Sequence, residues 1–358
     1  MDIELVTDVA RLQHHLHGWE ALADLVSAPR SAGGIVAAWA QHMMSPELEL
    51  RIWVATEDDQ VLGVLPFVAE PMARDRVRLV APATDMMFGA VPIAQPDRAN
   101  EVARAVLEDF AGHAQSVNLA TLYWLPGGSP WTAAFRDHLS GPDWVATGMA
   151  RYSSFYTSVA AGIDVWLAQR NGEFRRTVGR RARRSAEQGF RLYTTIEPAE
   201  IMERLPRLQP LYVRRKEERG GEGYRFEDDM VEAIGAALEL SAPGRFRLSV
   251  IERDDLLIGG SLAVRAGSRM SAWLTGYDPE WSKLGPGIAA LLEALDAAAR
   301  AGCEIVDLGV GDQPYKDDFQ DEDAAFPLES VTWCRPRLAR LLQLEPEPED
   351  AAGTEIGA

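Results

Sequence analysis

The chain has 358 residues, enough for two domains at about 100–200 residues each, and its 47% apolar content supplies two buried cores. A net charge of −18 excludes a general nucleic-acid-binding surface, so DNA is not an expected partner. With no run of 18 or more apolar residues and an acidic start, Met1-Asp2-Ile3-Glu4, the sequence predicts no membrane span, no signal peptide and a cytoplasmic location.

In the first half, alternating and β-branched runs predict strands at Glu49–Thr56, Val61–Ala69 and Val77–Ala81. The first two are joined by the turn Glu57-Asp58-Asp59-Gln60, and Gly63 lies inside the second. A helix near Arg98–His113 and a strand at Val117–Trp124 follow. The middle holds a strand over Arg151–Ser158 and an arginine-rich helix over Phe174–Gln188. Two more helices, about Pro198–Arg219 and Glu227–Leu240, are joined by Gly220-Gly221-Glu222-Gly223 and read as an insert, 198–240. The second half then repeats the first. Strands Arg245–Ile251 and Leu256–Val264 flank an acidic turn, with Gly259-Gly260 in the second strand. Arg269–Tyr277, an amphipathic helix from Gly287 to Ala301 and the strand Glu304–Leu308 complete it. The shared order, β-turn-β-β-helix-β, predicts an internal duplication. A last strand, Leu328–Cys334, is expected to pair beside Glu304–Leu308, and an acidic Pro/Glu-rich tail, 341–358, to be disordered.

Two loops carry the chemistry. Ser282-Lys283-Leu284-Gly285-Pro286-Gly287 leads from a strand region into a helix. Gly285 and Gly287 let backbone approach a ligand, Pro286 suits a first helical turn, and the helix start offers free N–H groups to a pyrophosphate with Lys283 beside it. The same residues also make an ordinary helix start. Asp307-Leu308-Gly309-Val310-Gly311-Asp312-Gln313-Pro314-Tyr315-Lys316 ends the next strand and releases Asp312, Tyr315 and Lys316, or else is a solvated acidic loop. There is no Walker loop, GxGxxG, GxSxG or HExxH pattern. Cys303 and Cys334 have neither CxxC spacing nor histidine companions, so no metal is expected.

Charge is unevenly distributed. Arginines 175, 176, 180, 181, 183, 184 and 191 face a single acid, Glu187, across Arg175–Arg191. Arg176, Arg180, Arg183 and Arg184 recur at helical spacing and form either an anion site or a solvated face paired with the acidic body or tail. Ten tryptophans, among them Trp124, Trp131, Trp273, Trp281 and Trp333, are expected in cores or cleft walls.

From about Tyr152 to Trp333 the chain resembles the GNAT acyltransferase superfamily, in its CelD/BioF2-like branch, and more distantly the Fem aminoacyl-transferases. The basic helix, Tyr277-Asp278-Pro279, Gly285-Pro286-Gly287 and Asp307-Leu308-Gly309…Gly311…Tyr315-Lys316 carry the likeness. Ser282 stands where ordinary GNAT loops carry Gln or Arg. The resemblance implies an α/β (α+β) fold of two tandem GNAT-like modules, each a mixed, mostly antiparallel sheet flanked by helices. Residues 1–150 would form a degenerate module without a donor site, and 151–340 the acyltransferase. It implies acetyl-CoA or a longer acyl-CoA as donor, held by Leu274, Thr275, Lys283, Leu284, Gly285, Pro286 and Gly287. The acceptor would be a small-molecule or peptide amine; the Fem likeness admits aminoacyl-tRNA as a rival donor. On this reading Asp312 orients or deprotonates the amine, Tyr315 or Tyr277 protonates the thiolate, Lys316 serves positioning or supports the oxyanion charge, and Arg176, Arg180 and Arg184 bind anionic groups. A GNAT-like protein that binds without turnover is the remaining alternative.

Overall fold

The computed structural model describes residues 1–72, 76–87, 89–139, 143–218, 226–311, 313–321 and 325–342. The chain opens with β1 (Asp2–Val6) and α1 (Val9–Leu25). Asp8 starts α1 by accepting the Arg11 N–H at 2.7 Å, and Leu12, Leu16, Trp19, Leu22 and Ala23 form its inner stripe. Helix α2 (Gly33–His42) follows, and the buried Glu20 carboxylate accepts its Gly34 N–H at 2.9 Å. Strands β2 (Glu49–Glu57), β3 (Gln60–Met72) and β4 (Arg76–Val80) form a meander. After α3 (Thr84–Met87) and β5 (Ile93–Ala94) come α4 (Ala99–His113), β6 (Val117–Pro126), α5 (Pro130–His138) and β7 (Val145–Ser158).

Two helices, α6 (Ile163–Gln169) and α7 (Gly172–Glu187), precede β8 (Arg191–Thr195). The pair α8 (Pro198–Glu218) and α9 (Asp228–Leu240) leads into a second meander, β9 (Phe246–Arg253), β10 (Leu256–Ala266) and β11 (Arg269–Tyr277). A 3-10 turn, Pro279–Leu284, feeds α10 (Pro286–Arg300), then β12 (Ile305–Val310), α11 (Lys316–Phe319), β13 (Ala325–Cys334) and α12 (Pro336–Leu342). Leu341 and Leu342 of the expected tail belong to α12, and 343–358 lie outside the described residues.

The chain divides into two compact units, Met1–Ser153 with the described residues from Phe326 on, and Ser154–Ala325. In the first, strand order is β1-β2-β3-β4-β6-β13, antiparallel except for the parallel pair β4–β6. In the second it is β8-β9-β10-β11-β12-β7, antiparallel except for the parallel pair β11–β12. Each unit thus runs strand, two helices, three-stranded meander, helix, parallel strand. This makes the α8–α9 pair, read from sequence as an insert, the counterpart of α1–α2 and part of the repeat.

The expected pairing of Leu328–Cys334 with Glu304–Leu308 does not form. β13 pairs with β6 instead, where Trp333 stacks on Phe135 at 4.9 Å and the Thr121 and Thr332 hydroxyls meet at 3.2 Å. The place beside β12 belongs to Ser154–Ser158 of β7, and Ser154 Oγ donates to the buried Asp307 carboxylate at 2.7 Å.

Aromatic packing anchors the first core, with Trp53, Phe67, Phe110 and Phe135 in edge or tilted contact. Such pairs add about 0.5–1.5 kcal/mol each beyond burial. The second core lies around α10, where Leu291, Ala294, Leu295 and Ala298 pack with Val306 and Phe319. The fourth residue of β3 and of β10 is glycine for one reason. A Cβ on Gly63 would come within 2.3 Å of Val102 Cγ1 on α4, and one on Gly259 within 2.9 Å of Pro286 Cβ at the start of α10. Both glycines let the helix lie against its sheet.

Candidate active site

The second sheet forks where its two central strands part. β11 and β12 pair in parallel only from Arg269–Ser271 against Ile305–Asp307. Beyond that, β11 continues along β10 to Tyr277, and β12 continues along β7 to Val310. Asp307 sits at the fork, 2% exposed, accepting Ser154 Oγ, the Gly309 N–H at 2.8 Å and Ser271 Oγ at 3.5 Å. These bonds tie three strands together at the point of divergence.

The sequence Asp278-Pro279…Gly285-Pro286-Gly287 folds locally into a sharp strand-to-helix turn. Asp278 caps the 3-10 turn by accepting the Glu280 N–H at 3.1 Å. Gly285 ends it in the left-handed region, φ 63° and ψ 50°, and Pro286 begins α10. No side chain caps α10 and no acid lies in its first turn, so its positive end is unneutralised from within the helix. The Arg181 guanidinium fills the space over Gly285: a Cβ there would lie 2.8 Å from Nη1.

A cavity of about 220 Å³ opens here, walled by Arg181, Arg215, Thr275, Tyr277, Ser282, Gly285, Pro286, Gly287, Ile288, Leu291 and Tyr315. Two arginines and no carboxylate line it, which suits an anionic ligand. Arg215, from α8, donates to the Thr275 carbonyl at 2.5 Å and lies 5.7 Å from the Tyr277 ring centroid. On the far side of Arg181 and Gly285, between α7 and α10, runs an apolar groove of about 410 Å³. Glu293 lines that groove; burial pushes its carboxyl up, against the pull of Arg300 at 2.7 Å and the Thr194 hydroxyl at 3.2 Å. Among the described residues no group of three or more His, Cys, Asp or Glu side chains could hold a metal ion.

The structure brings together Tyr277, Tyr315, Thr275, Gly285, Pro286 and Gly287 around the cavity. Leu284 lines the groove, whereas Leu274 is fully buried and Lys283 is exposed outside both. Lys316 is 2% exposed and spends its three N–H donors on the carbonyls of Gly309 (2.8 Å), Val310 (2.9 Å) and Gly311 (2.9 Å). These bonds fasten the end of β12. Asp312 lies outside the described residues. Arg176, Arg180 and Arg184 are exposed and line neither space. The arginine at the helix start is Arg181, and the sequence carried its signal. Phe174, Val178, Arg181 and Ser185 recur at i, i+4, i+7 and i+11, the inward stripe of α7, with Phe174 and Ser185 buried. Arg215 had no such pattern to reveal it.

Residues 172–317 match the sequence profile of the Acetyltransferase (GNAT) domain. That span, less than half of the chain and all within the second unit, has the sequence character of a GNAT acetyltransferase domain. A comparison with curated protein sequences finds no match. Among solved structures, the fold is similar to FemX (TM-score 0.65, 11% identity, 96% of this chain and 100% of that one). It is also similar to the C-terminal DUF2156 domain of a putative lysylphosphatidylglycerol synthetase from Agrobacterium fabrum (TM-score 0.55, 11% identity, 94% and 95%). A conserved protein of unknown function from Bacteroides thetaiotaomicron gives 0.57 at 11% identity over 93% and 100%. At 11% identity these likenesses are of fold: the chain shares the fold of FemX along nearly its whole length, and the span that matches the GNAT profile holds the helix start at the mouth of the forked sheet.

Proposed function

We propose that the protein is an N-acyltransferase that moves an acyl group from acyl-CoA to an amine by direct attack on the thioester, with the cavity at the start of α10 as donor site. One observation carries this reading: an uncapped, acid-free helix start with Gly285 and Arg181 at the mouth of a forked sheet. The residues fit the donor. The Gly287 and Ile288 N–H groups and the Arg181 guanidinium hold a diphosphate. Gly285 supplies the left-handed turn and leaves room for Arg181. A thioester donor supplies an activated carbonyl. Backbone N–H groups of β11 near Leu274–Tyr277 polarise the carbonyl oxygen. Tyr277 or Tyr315, both in the cavity wall, gives a proton to the leaving thiolate. Positioning within the fork supplies much of the rate, so no single essential base is required. Asp312 remains the proposed partner of the amine, which is a small molecule or peptide. Lys316 acts through the backbone of β12. Residues 1–150 serve as a partner module, and the enzyme works in the cytoplasm.

A second donor, aminoacyl-tRNA, is favoured by one observation: the fold follows FemX along 96% of the chain. Calorimetric titration with acetyl-CoA, longer acyl-CoAs and free CoA separates the two. The acyl-CoA reading expects micromolar binding that Gly287→Trp abolishes, because a side chain there meets Tyr277 Cδ1 at 2.9 Å. No binding of any CoA species to the wild-type protein overturns it and turns attention to charged tRNA.

A further inference from the structure

Helix α7 carries a charge that the donor cavity does not use. Of its arginines only Arg181 lines the cavity. Arg175, Arg176, Arg180, Arg183 and Arg184 are exposed, and among the described residues none meets a carboxylate. The chain holds 54 acidic and 36 basic side chains, so acids were abundant and are not used here. Arg176, Arg180 and Arg184 follow at i, i+4 spacing, where like charges repel. An external polyanion would relieve that repulsion.

The surroundings select the kind of polyanion. The groove of about 410 Å³ along the flank of α7 is walled mainly by aliphatic side chains, among them Leu167, Val178, Ile288 and Leu292, with Phe190, Glu293 and Asp296 also in its lining. Leu192, in the same wall, is 40% exposed. A concave, mainly apolar groove of this size is the usual form of a small-ligand site. Single-stranded nucleic acid is gripped by aromatic platforms beside the basic groups. No such open platform is present among the described residues of this groove: Phe174 packs on Trp166 and Phe319, and Phe190 in the groove wall is 6% exposed and packed edge-on against Trp281. A helix with guanidinium groups on its outer face and a mainly aliphatic slot along its inner flank matches instead the phosphates and chains of lipids.

We propose that α7 docks the protein on an anionic lipid surface, its outer arginines against headgroup phosphates and the groove between α7 and α10 receiving an acyl chain of one of those lipids. This is peripheral docking: no described helix is long and apolar enough to cross a membrane.

Vesicle flotation tests the proposal without any donor or acceptor, so its result is independent of the acyl-CoA reading. Phosphatidylcholine vesicles with phosphatidylglycerol are expected to bind the protein, and pure phosphatidylcholine vesicles to fail. Arg176→Glu/Arg180→Glu/Arg183→Glu is expected to lower the partition coefficient on the order of a hundredfold or more at low salt. These side chains are exposed, and an unchanged melting temperature verifies the fold. Ala182→Glu, which places a charge in the groove wall, is expected to weaken binding several-fold and leave its salt dependence intact. Equal binding to neutral vesicles, or undiminished binding by the triple variant, overturns the proposal. Full displacement by glycerol phosphate would assign the arginines to a free phosphate ligand. Arginine-dependent binding of tRNA without vesicle binding would assign them to RNA.

Discussion

The two units share one connectivity and differ at one junction, the passage from the third meander strand to the helix. In the second unit β11 runs on to Tyr277, nine residues in all, and stays paired with β10 as far as Gly259. In the first, β4 ends after five residues at Val80, and β5 takes the edge of β3 at Gly63 and Val64. The helix starts differ in charge as well. α4 begins after Arg98, which is ion-paired with Glu57 (2.5 Å) and with Glu101 (2.6 Å) in the helix's own first turn. α10 begins after Gly285 with no acid in its first turn and Arg181 across the turn. The first helix has neutralised its positive end internally, and the second leaves that end for a ligand. Topology is therefore the common inheritance of both units. The anion site depends on a few residues that shape one turn.

The largest expected effect comes from making the second turn resemble an ordinary one. Gly285→Val forces a β-branched residue into the left-handed region and drives its Cβ into Arg181, 2.8 Å away. Acyl-CoA affinity, read by calorimetry, is expected to fall by a hundredfold or more, with a stability loss of about 1–3 kcal/mol. Arg98→Ala, at the corresponding point of the first unit, is expected to leave acyl-CoA affinity unchanged. A comparable loss in Arg98→Ala would end the assignment of the donor site to the second unit alone.

Next in size is the end of β12. Lys316→Met keeps the length of the side chain and removes its donors, leaving three carbonyls at Gly309, Val310 and Gly311 without the ammonium. Losing a charged partner from buried acceptors costs about 1–3 kcal/mol. Urea unfolding is expected to show that cost, and turnover is expected to fall through kcat more than through the donor's KM. Unchanged stability with lost turnover would favour oxyanion support over positioning, the two roles that the sequence leaves open for Lys316.

Much of this was legible in the sequence. The meanders, the helix after each and their repeat came from period-two and period-3.6 patterns that match the observed elements closely. Both first strands, β1 and β8, escaped notice for the same reason: each has five residues and shows no clean alternation, with burial graded along it. The stripe read on α10, Ile288, Leu291, Leu292, Leu295 and Ala299, merged two faces. Leu291 and Leu295 face the core, while Ile288 and Leu292 also line the groove toward α7. A single amphipathic period does not separate two apolar neighbours. The exchange of closing strands, β13 to β6 and the end of β7 to β12, depends on long-range pairs such as Thr121 with Thr332 and Ser154 with Asp307. No local pattern encodes those. In α7 the regular spacing of Arg176, Arg180 and Arg184 marks the solvated face, whereas Arg181 is marked by the apolar period.

The smallest expected effects concern two glutamates of the second unit with opposite pH signatures. Burial alone would raise Glu252, which is 2% exposed, but the Tyr193 hydroxyl at 2.5 Å and Arg204 at 3.1 Å hold its carboxyl below the ordinary 4.5. A lowered native value means that the ionised form stabilises the fold. That contribution is complete above about pH 4.5 and is lost as pH falls through the native value. Glu252→Gln should therefore cost about 1–3 kcal/mol at neutral pH and less in acid. Glu293 runs the other way. Burial beside the groove raises its carboxyl above 4.5 despite Arg300, so the neutral form is favoured in the fold. Its contribution is complete below about pH 4.5 and is lost as pH rises through the native value. Glu293→Gln should then raise stability at pH 8 by under about 1 kcal/mol and do nothing at pH 4. Thermal melts of both variants across that range test the pair. A stabilisation by Glu293→Gln that is as large in acid as at pH 8 would mean that packing in the groove wall, and not ionisation, sets the energetics there.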